Sequence, residues 1–252
     1  MTNSSKKIAI IPARLNSTRL ERKLLQDLDG KSVLQRTYES VLSSGLFDEV
    51  ICATDSDEIV HHGRIFNASV QMTSLAHQSG TDRIAEVAQN FSENDIIINI
   101  QGDEPFISTE HLSKILSLFD SEIQIGSLCV KINSVEDLHH HAVVKVCRDK
   151  HGRAIYFSRH PIPFMRNIPS REWLQHGNYY RHIGIYGFKN KTLQELAKLE
   201  VSPLEKAESL EQLRWIENAY TIHMAEVSSM SIGIDTELDL MNAREYLKKL
   251  KT

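Results

Sequence analysis

The sequence has few cysteines and no long hydrophobic run. Three cysteines occur in 252 residues, at Cys52, Cys129 and Cys147, and none forms a Cys-x-x-Cys pair. An odd number of widely spaced cysteines in apolar segments predicts buried free thiols and argues against a zinc or redox site. No apolar run approaches the roughly 18 residues needed to span a membrane, and the N-terminus does not resemble a signal peptide. We therefore expect a protein of the reducing cytoplasm.

An excess of charge of one sign is also lacking. The chain has 29 Lys and Arg against 33 Asp and Glu, which gives a formal net charge of -4. Because nonspecific binding to nucleic acid favours a basic face, this balance argues against that function. The hydrophobic share of 41% and charged share of 25% are those of an ordinary soluble globular protein. The length suffices for one large domain, or for a core with an added lobe.

The chain opens on an apolar segment that leads directly into a basic loop. Ile8 to Ile11 is short and rich in β-branched residues, so it predicts a buried strand. Pro12 cannot donate to a sheet ladder and is expected to end that strand. The loop that follows carries four cations: Arg14, Arg19, Arg22 and Lys23. A first strand that runs into a loop of cations and hydroxyl groups is where α/β proteins hold phosphate.

Strand and helix patterns then alternate to about residue 122. The predicted elements are strands at 50–54, 70–72 and 95–100, and helices at 33–43, 58–66, 84–91 and 109–118. Such alternation predicts a parallel sheet with helices on both faces and ligands at the carboxyl ends of the strands.

From about residue 123 the pattern changes to strands with few helices, which indicates a smaller antiparallel lobe. The predicted strands lie at 125–132, 142–147, 154–158 and 183–188. Residues 205–218 then predict one helix, followed by a strand at 221–226. A strand-like stretch at 232–235 precedes a closing helix over 237–249.

Two aspartates follow apolar segments of this pattern. Asp103 comes just after the predicted strand at 95–100, and Asp235 stands between the 232–234 stretch and the closing helix. Hard carboxylates at strand ends suit Mg²⁺ that bridges to phosphate oxygens. Gly-Asp is also common in turns, and an aspartate before a helix is commonly an N-cap. The spacing alone leaves both interpretations open.

Other polar segments are less specific. Ser79 to Arg83 offers hydroxyl groups, backbone amides and a cation. Arg159, Arg181 and His182 fit an acidic substrate, because arginine binds carboxylates through a planar fork, and surface charge is an equal alternative. His139 to His141 suggests a metal site, but adjacent residues do not share a helix face, so a solvated loop is favoured.

Together these motifs resemble those of the CMP-sugar-acid cytidylyltransferases, and above all the branch that uses 3-deoxy-manno-octulosonate (Kdo). The resemblance covers nearly the whole chain in order. Its motifs are Ile10 to Arg14, Ser17 to Leu20, Lys23, Ala53 to Asp55, Ser79 to Arg83, Asn99 to Pro105, Tyr156 to Arg159, Arg181 to Tyr186, Leu210 to Arg214 and Ile234 to Thr236. Two departures stand out. The usual Leu-Pro-Gly-Lys-Pro-Leu is Leu20 to Leu25, with Glu21-Arg22 in place of Pro-Gly and Leu24 in place of the second proline. A proline is also missing after Thr236.

The resemblance implies a Rossmann-like, mostly parallel sheet flanked by helices, of the nucleotide-diphospho-sugar transferase type, with a smaller antiparallel lobe. It implies a single nucleotidyltransferase domain over 1–252, with a nucleotide-binding core at about 1–122 and 220–252. The sugar-binding and dimerisation lobe would lie at about 123–219. The implied reaction joins CTP and Kdo to give CMP-Kdo and pyrophosphate for lipopolysaccharide biosynthesis, in a cytoplasmic homodimer.

The resemblance also implies roles for individual residues. Asp103 and Asp235 would hold Mg²⁺, and with Arg14 and Lys23 they form the implied catalytic set. The implied CTP-binding residues are Ala13, Arg14, Arg19, Lys23, Ser79 and Thr81. Those implied for the sugar acid are Arg83, Gln101, Arg159, His182, Tyr186, Glu211 and Gln212.

Other functions remain as alternatives. The altered loop fits a branch that uses 8-amino-3,8-dideoxy-Kdo. The nearest rival is a cytidylyltransferase for sialic or another nonulosonic acid, and the segments that argue against it are Arg181-His182 and Leu210 to Arg214. A sugar-nucleotide-dependent glycosyltransferase normally needs an Asp-x-Asp metal motif. Asp55-Ser56-Asp57 has that form but matches the Ala-Thr-Asp motif of the cytidylyltransferases. The retained aspartates and basic loop argue against an inactive binding protein.

Overall fold

The structure is a computed structural model that describes residues 5–15, 19–120 and 122–250. The chain divides into two compact units, and each is described by itself. The first comprises Met1–Ser113, Lys189–Ala197 and Ser231–Thr252, and the second comprises Lys114–Phe188 and Lys198–Met230. Every helix within the described ranges is too short or too polar to cross a membrane.

The described elements alternate along the first half of the chain as predicted. The strands are β1 Lys7–Ala13, β2 Glu49–Thr54, β3 Val70–Met72, β4 Ile96–Asn99, β5 Ile125–Lys131, β6 Lys145–Arg148, β7 Ala154–Ser158, β8 Tyr180–Lys189 and β9 Ile222–Glu226. The helices are α1 Val33–Ser43, α2 Asp57–Ile65, α3 Gly80–Ala88, α4 Thr109–Ser117, α5 Val135–His139, α6 Trp173–His176, α7 Asn190–Leu196, α8 Pro203–Glu208, α9 Gln212–Glu217 and α10 Glu237–Leu250.

The first unit is built on a parallel sheet in the order β3-β2-β1-β4. Ile8, Ile10 and Ile97 are completely buried, as expected for a parallel sheet covered on both faces. The helices begin at side-chain caps, such as the Ser32 hydroxyl that accepts from the Gln35 amide at 3.0 Å to start α1. Parallel strands bring the loops that follow β1, β2 and β4 to one edge of this sheet.

Pro12 does not end β1, contrary to the expectation from sequence. The strand continues to Ala13, and Pro12 pairs in register with Ala53 of β2. On its other side β1 pairs with β4 only as far as Ile10. Beyond Ile10 the strand therefore has a ladder partner on one side, which is the setting in which a sheet tolerates proline. The basic loop consequently starts after Ala13.

In the second unit, β5 pairs with antiparallel β8 on one side and with parallel β9 on the other. The strand β8 also pairs with β6, which is antiparallel to β7. The predicted antiparallel lobe is thus present, with β9 as a parallel addition. By contacts, β9 belongs to this unit and α7 to the first. The functional division at about residues 122 and 219 stays a prediction.

Two other segments differ from the expectation. The single helix predicted over 205–218 is two helices, α8 and α9, because Ser209 adopts a left-handed conformation with φ of 52° between them. The stretch 232–235 forms no strand in the part of the chain that the structure describes. This irregular stretch meets the loop after β4 through the Ile234 amide, which donates to the Asp103 carbonyl at 2.9 Å.

Candidate active site

Two carboxylates converge on one ammonium group in the first unit. Lys23 starts a single 3-10 turn, Lys23–Leu25, and its Nζ donates to Asp103 Oδ2 and lies 2.9 Å from Asp235 Oδ1. The Lys23 side chain is 13% exposed. Burial disfavours its charge, yet Asp103 and then Asp235 raise its pKa above the ordinary value. The two aspartates therefore form a cation position at the carboxyl end of the sheet.

A glycine allows the loop after β4 to reach this position. A Cβ on Gly102 would lie 3.2 Å from the Pro12 carbonyl oxygen and 3.3 Å from the Leu24 side chain, closer than nearly all real contacts. The absence of a side chain thus lets the Asp103 loop pack against the end of β1 and the Lys23 turn. Of the predicted sugar residues, Gln101 lies in this loop, with its Nε2 3.5 Å from Asn99 Oδ1.

Asp235 is not the N-cap of α10. The hydroxyl of Thr236 accepts from the Asp239 amide at 3.2 Å, while Asp239 Oδ2 accepts from the Thr236 amide at 2.8 Å. This reciprocal pair is a capping box, so Thr236 caps the helix. The Asp235 carboxylate is left to bind Lys23 and, at 3.1 Å, Arg19.

The chemistry of this position fits a hard cation. Asp103 and Asp235 place carboxylate oxygens around one positively charged group, the kind of oxygen ligand that Mg²⁺ prefers. No cluster of three or more His, Cys, Asp or Glu side chains suited to a metal occurs among the described residues. A divalent cation held here would take its other ligands from water and phosphate, as Mg²⁺ commonly does.

The basic loop is only partly described. Ser17 and Thr18 of the signature motif lie outside the described residues. Arg14 is exposed and donates to the His77 carbonyl at 3.1 Å, and the Arg19 side chain is 64% exposed. Arg22, which replaces the usual glycine, has a φ of 50° and forms an ion pair with Glu58 in α2. The altered loop is thus tied to a neighbouring helix.

The remaining CTP candidates surround the start of α3. Ala13 is buried at the end of β1, and Thr81 is 3% exposed in the first turn of the helix. Ser79 is the N-cap, and its hydroxyl accepts from the Asp82 amide at 3.0 Å. The N-terminus of a helix favours anions, which agrees with a phosphate-binding role. That role stays a prediction for these three residues.

Arg83 is held inside the first unit. Its side chain has no solvent exposure, and its guanidinium donates to the side chains of Asp55 and Thr73. Its assignment to the sugar acid stays a prediction. The same pairing bears on the glycosyltransferase alternative. Asp55 is engaged by Arg83, Ser56 caps α2, and Asp57 lies in the first turn of that helix. Nothing in this arrangement supports an Asp-x-Asp metal site.

In the second unit, His182 is half-buried and neutral. Its ring packs edge-on against Phe157, with 5.0 Å between ring centroids, and burial lowers its pKa to about 3. Ser127 Oγ lies 3.0 Å from His182 Nε2 and 2.9 Å from the Ile185 carbonyl oxygen. Because the carbonyl takes the hydroxyl proton, the imidazole donates from Nε2 to Ser127.

Two neighbouring polar groups are buried and unpaired. Tyr186 OH and Gln212 Nε2 have no hydrogen-bond partner among the described residues. Burial, followed by the charge of Glu211, raises the pKa of Tyr186 well above its ordinary value, so its hydroxyl stays protonated. Glu211 lies 3.3 Å from the Arg214 guanidinium. Unpaired buried groups are costly, so these two side chains are suited to receive a hydroxyl-rich ligand.

Arg159 is anchored by backbone acceptors. Its guanidinium donates to the carbonyls of Glu208, His141 and Ser209 at 2.7, 3.2 and 3.2 Å. Its backbone amide donates to the Glu208 carboxylate at 2.9 Å. Three of the five guanidinium N–H groups are used, which leaves two for a ligand.

Several supporting contacts do not follow from the sequence. Asp55 belongs to a motif, but its contact with Arg83 spans 28 residues, and Ser127 and Glu208 act on partners 55 and 49 residues away, so no local pattern reveals these contacts. Thr236 is the exception. The sequence Thr236-Glu237-Leu238-Asp239 has the form of a capping box, with Asp in place of Glu or Gln, which identifies the true N-cap.

Comparison with known proteins decides the family. The cytidylyltransferase family model matches residues 8–224. The chain belongs to the cytidylyltransferase family. The curated 3-deoxy-manno-octulosonate cytidylyltransferase of Francisella tularensis subsp. holarctica is 45% identical over 241 residues, which cover 94% of this chain and 96% of that protein. The protein of the same name from Bacteroides thetaiotaomicron is 43% identical over 246 residues, covering 96% and 98%.

Solved structures agree with the predicted fold. The structure of a CMP:2-keto-3-deoxy-manno-octonic acid synthetase complexed with CTP has a TM-score of 0.90 and 36% identity, covering 98% of this cytidylyltransferase chain and all of that one. A 4-diphosphocytidyl-2C-methyl-D-erythritol synthase from Anaerococcus prevotii has a TM-score of 0.63 at 15% identity, over 97% and 99%, and shows likeness of fold alone. The predicted Rossmann-like class is confirmed.

Proposed function

We propose that this cytidylyltransferase transfers CMP from CTP to Kdo, with release of pyrophosphate. The observation that carries the proposal is the 45% identity to a curated Kdo cytidylyltransferase over 94% of the chain. The convergence of Lys23, Asp103 and Asp235 supports it, because phosphoryl transfer depends on concentrated, well-positioned charge. The alternatives with 8-amino-3,8-dideoxy-Kdo or a nonulosonic acid are not favoured by any contact of the described residues.

In the proposed reaction, the anomeric hydroxyl of the sugar attacks the α-phosphorus of CTP. The hydroxyl gives its proton to water, the bond from that phosphorus to the bridging oxygen breaks, and pyrophosphate leaves with the electrons of that bond. No covalent bond to the enzyme is needed, so catalysis comes from positioning and charge stabilisation. Arg14, Arg19 and Lys23 are the cations of the described loop that would hold the triphosphate.

Asp103 and Asp235 would hold Mg²⁺ in this enzyme. The ion would neutralise phosphate charge and lower the pKa of the sugar hydroxyl. Support comes from the ammonium of Lys23, which shows that both carboxylates can share a single cation. With Mg²⁺ between the carboxylates, Lys23 would serve the triphosphate.

The second unit would bind the sugar acid. Tyr186 and Gln212 bring buried groups without partners among the described residues, which suits the many hydroxyl groups of an eight-carbon sugar. Glu211 would accept from a sugar hydroxyl. The two remaining N–H groups of Arg159 would bind its carboxylate, with neutral His182 beside it.

The proposal includes a homodimer in the cytoplasm, whose product is used in lipopolysaccharide biosynthesis. Exposed apolar side chains on the second unit support an interface there, since Ile155 is 59% and Phe164 74% exposed. Buried free thiols at Cys52 and Cys129 suit a reducing compartment. Light scattering is expected to give twice the chain mass, and a monomer would contradict the dimer.

The function is tested by pyrophosphate release with CTP, Mg²⁺ and a panel of sugar acids. We expect kcat/KM to be highest for Kdo, followed by 8-amino-3,8-dideoxy-Kdo, with little turnover of sialic acid. A higher kcat/KM for the 8-amino sugar would assign the enzyme to the branch that uses that sugar. No pyrophosphate with any acid would refute the cytidylyltransferase activity.

A further inference from the structure

Lys145 is a buried lysine that the proposed reaction does not use. It begins β6 and has no solvent exposure. Its ammonium donates to three backbone carbonyls, those of His140, Val143 and Arg159, at 3.0, 2.6 and 2.6 Å. All three N–H groups of the ammonium are therefore used, and all three acceptors are neutral.

The charge of Lys145 has no carboxylate in contact. Among the described residues, Lys145 forms no ion pair. The nearby Glu208 carboxylate is bound by other donors, since it accepts from the Ser158 hydroxyl at 2.6 Å and from the Arg159 amide at 2.9 Å. A buried charge is costly unless it is paired, so this cation calls for an explanation beyond packing.

Lys145 and Arg159 donate hydrogen bonds to the same short segments of backbone. Lys145 binds the carbonyls on either side of His141, at positions 140 and 143, while Arg159 binds the carbonyl of His141 itself. Lys145 also binds the Arg159 carbonyl directly. The backbone that carries Arg159 and one of its anchors are thus both fixed by a single ammonium group.

We propose that Lys145 is a positioning residue for the acidic substrate. It holds Arg159 in place. It also adds a positive charge next to Arg159 that no carboxylate pairs with, and this charge helps to attract the carboxylate of the sugar acid. Lys145 touches no substrate, because it is completely buried. This inference rests on the proposed function and names which substrate group the charge serves.

The groups that face Lys145 agree with this role. Burial lowers its pKa to about 8, Glu208 and Asp137 act to raise it, and Arg159 and Arg181 act to lower it. Lys145 therefore remains largely protonated at pH 7, and it loses its proton as pH rises above 8. A bound carboxylate would favour the protonated form.

The test compares binding of two unreactive ligands by calorimetry, in the presence of CTP. The first is the 2-deoxy analogue of Kdo, which lacks the attacking hydroxyl, and the second is the carboxamide of that analogue. The proteins are the wild type, Lys145→Met, Lys145→Arg and, as a control on an exposed turn of the same unit, Lys150→Met. Circular dichroism and thermal unfolding establish that each variant is folded.

In Lys145→Met we expect the Kd of the acid to rise about tenfold and that of the carboxamide to change less than twofold. Lys145→Arg is expected to recover most of the acid affinity, and Lys150→Met to match the wild type. Equal weakening of the binding of both ligands would indicate that Lys145 has only a structural role. Unchanged acid affinity in a folded Lys145→Met would overturn the inference as well.

A measurement on the wild type does not depend on any variant folding. The ratio of carboxamide Kd to acid Kd is expected to fall severalfold between pH 7 and pH 9.5, as Lys145 loses its proton. A constant ratio would overturn the inference. If the same protein releases pyrophosphate with Kdo, the proposed function is unaffected by that result. Failure of the wild type both to bind the acid and to release pyrophosphate with Kdo would overturn the inference and the proposed function together.

Discussion

The cation position of the first unit differs in charge from the proposed sugar wall of the second unit, which consists of His182, Tyr186 and Gln212. Lys23, Asp103 and Asp235 pair with one another, and the carboxylates remain 24% and 46% exposed. In the sugar wall, burial keeps His182 neutral and Tyr186 protonated. A triphosphate is bound by formal charge, whereas sugar hydroxyl groups are bound by neutral donors and acceptors. The difference between the two clusters is the one that the proposed triphosphate and sugar sites would require.

The largest expected effect is at Asp103. Asp103→Asn replaces a carboxylate by an amide, a poor ligand for Mg²⁺, and removes one of the two charges at the cation position. We expect kcat to fall by about 10³-fold with the fold intact. Steady-state pyrophosphate release and thermal unfolding measure the two quantities. Glu39→Gln, on an exposed ion pair of the same unit, is the control. Near-normal turnover would show that Asp103 does not hold the metal ion.

A smaller loss is expected at Lys23. Lys23→Ala removes the cation that would bind the triphosphate and leaves Asp103 and Asp235 facing each other. We expect kcat/KM for CTP to fall by about 10²-fold, within the range seen when one charge-stabilising donor is removed. Lys31→Ala, which disrupts only an exposed pair with Glu39, is the matched control. An unchanged KM and kcat in Lys23→Ala would mean that the altered loop no longer serves phosphate.

The sugar wall predicts a pH effect on stability. The pKa of His182 is about 3 in the folded chain, below the ordinary 6.5, so the unfolded chain binds more protons between these values. Its contribution to stability is complete above pH 6.5 and is lost as pH falls towards 3. From pH 6.5 to pH 5 the loss is about 2 kcal/mol.

This effect is measured by urea unfolding at pH 7 and pH 5. Replacing His182 by Phe is expected to remove the His182 part of the difference, so the variant loses about 2 kcal/mol less than the wild type on acidification. His151→Gln, in an exposed turn, is expected to keep the wild-type dependence. Identical pH dependence in wild type and His182→Phe would show that the imidazole titrates normally.

The smallest expected effect concerns the ion pair between Arg22 and Glu58. Their side chains are 52% and 41% exposed, so the pair is worth at most about 1 kcal/mol. Glu58→Gln is expected to raise the KM for CTP about two- to fivefold at low salt and by less at high salt, because salt screens the pair. Arg22→Gly loses the pair but suits the φ of 50°, and so is expected to have the smaller effect. An equal change in Glu39→Gln would contradict a specific role.

Local patterns predicted much of the fold. Helix α1 has its predicted bounds, Val33–Ser43, and β3 and β7 also match, because hydrophobic spacing and terminal caps lie within a few residues of one another. One error has a long-range cause and the other a local one. Pro12 stays in β1 because the pairing of β1 with β4 ends at Ile10, and the helix over 205–218 breaks where Ser209 adopts a left-handed conformation.

The sequence by itself determined the family, the order of strands and helices, and the presence of a cation-rich loop and two aspartates that follow apolar segments. Only the tertiary structure decided how these groups pair. Lys23 meets Asp103 and Asp235 across 80 and 212 residues, and the capping box of α10 leaves Asp235 available for that contact. Likewise, the buried charge of Lys145 is visible only once β6 is in place. Sheet register and the cap of α10 set these contacts. The cap can be read from Thr236 to Asp239, but the sheet register that brings distant residues together has no signal at the sites themselves.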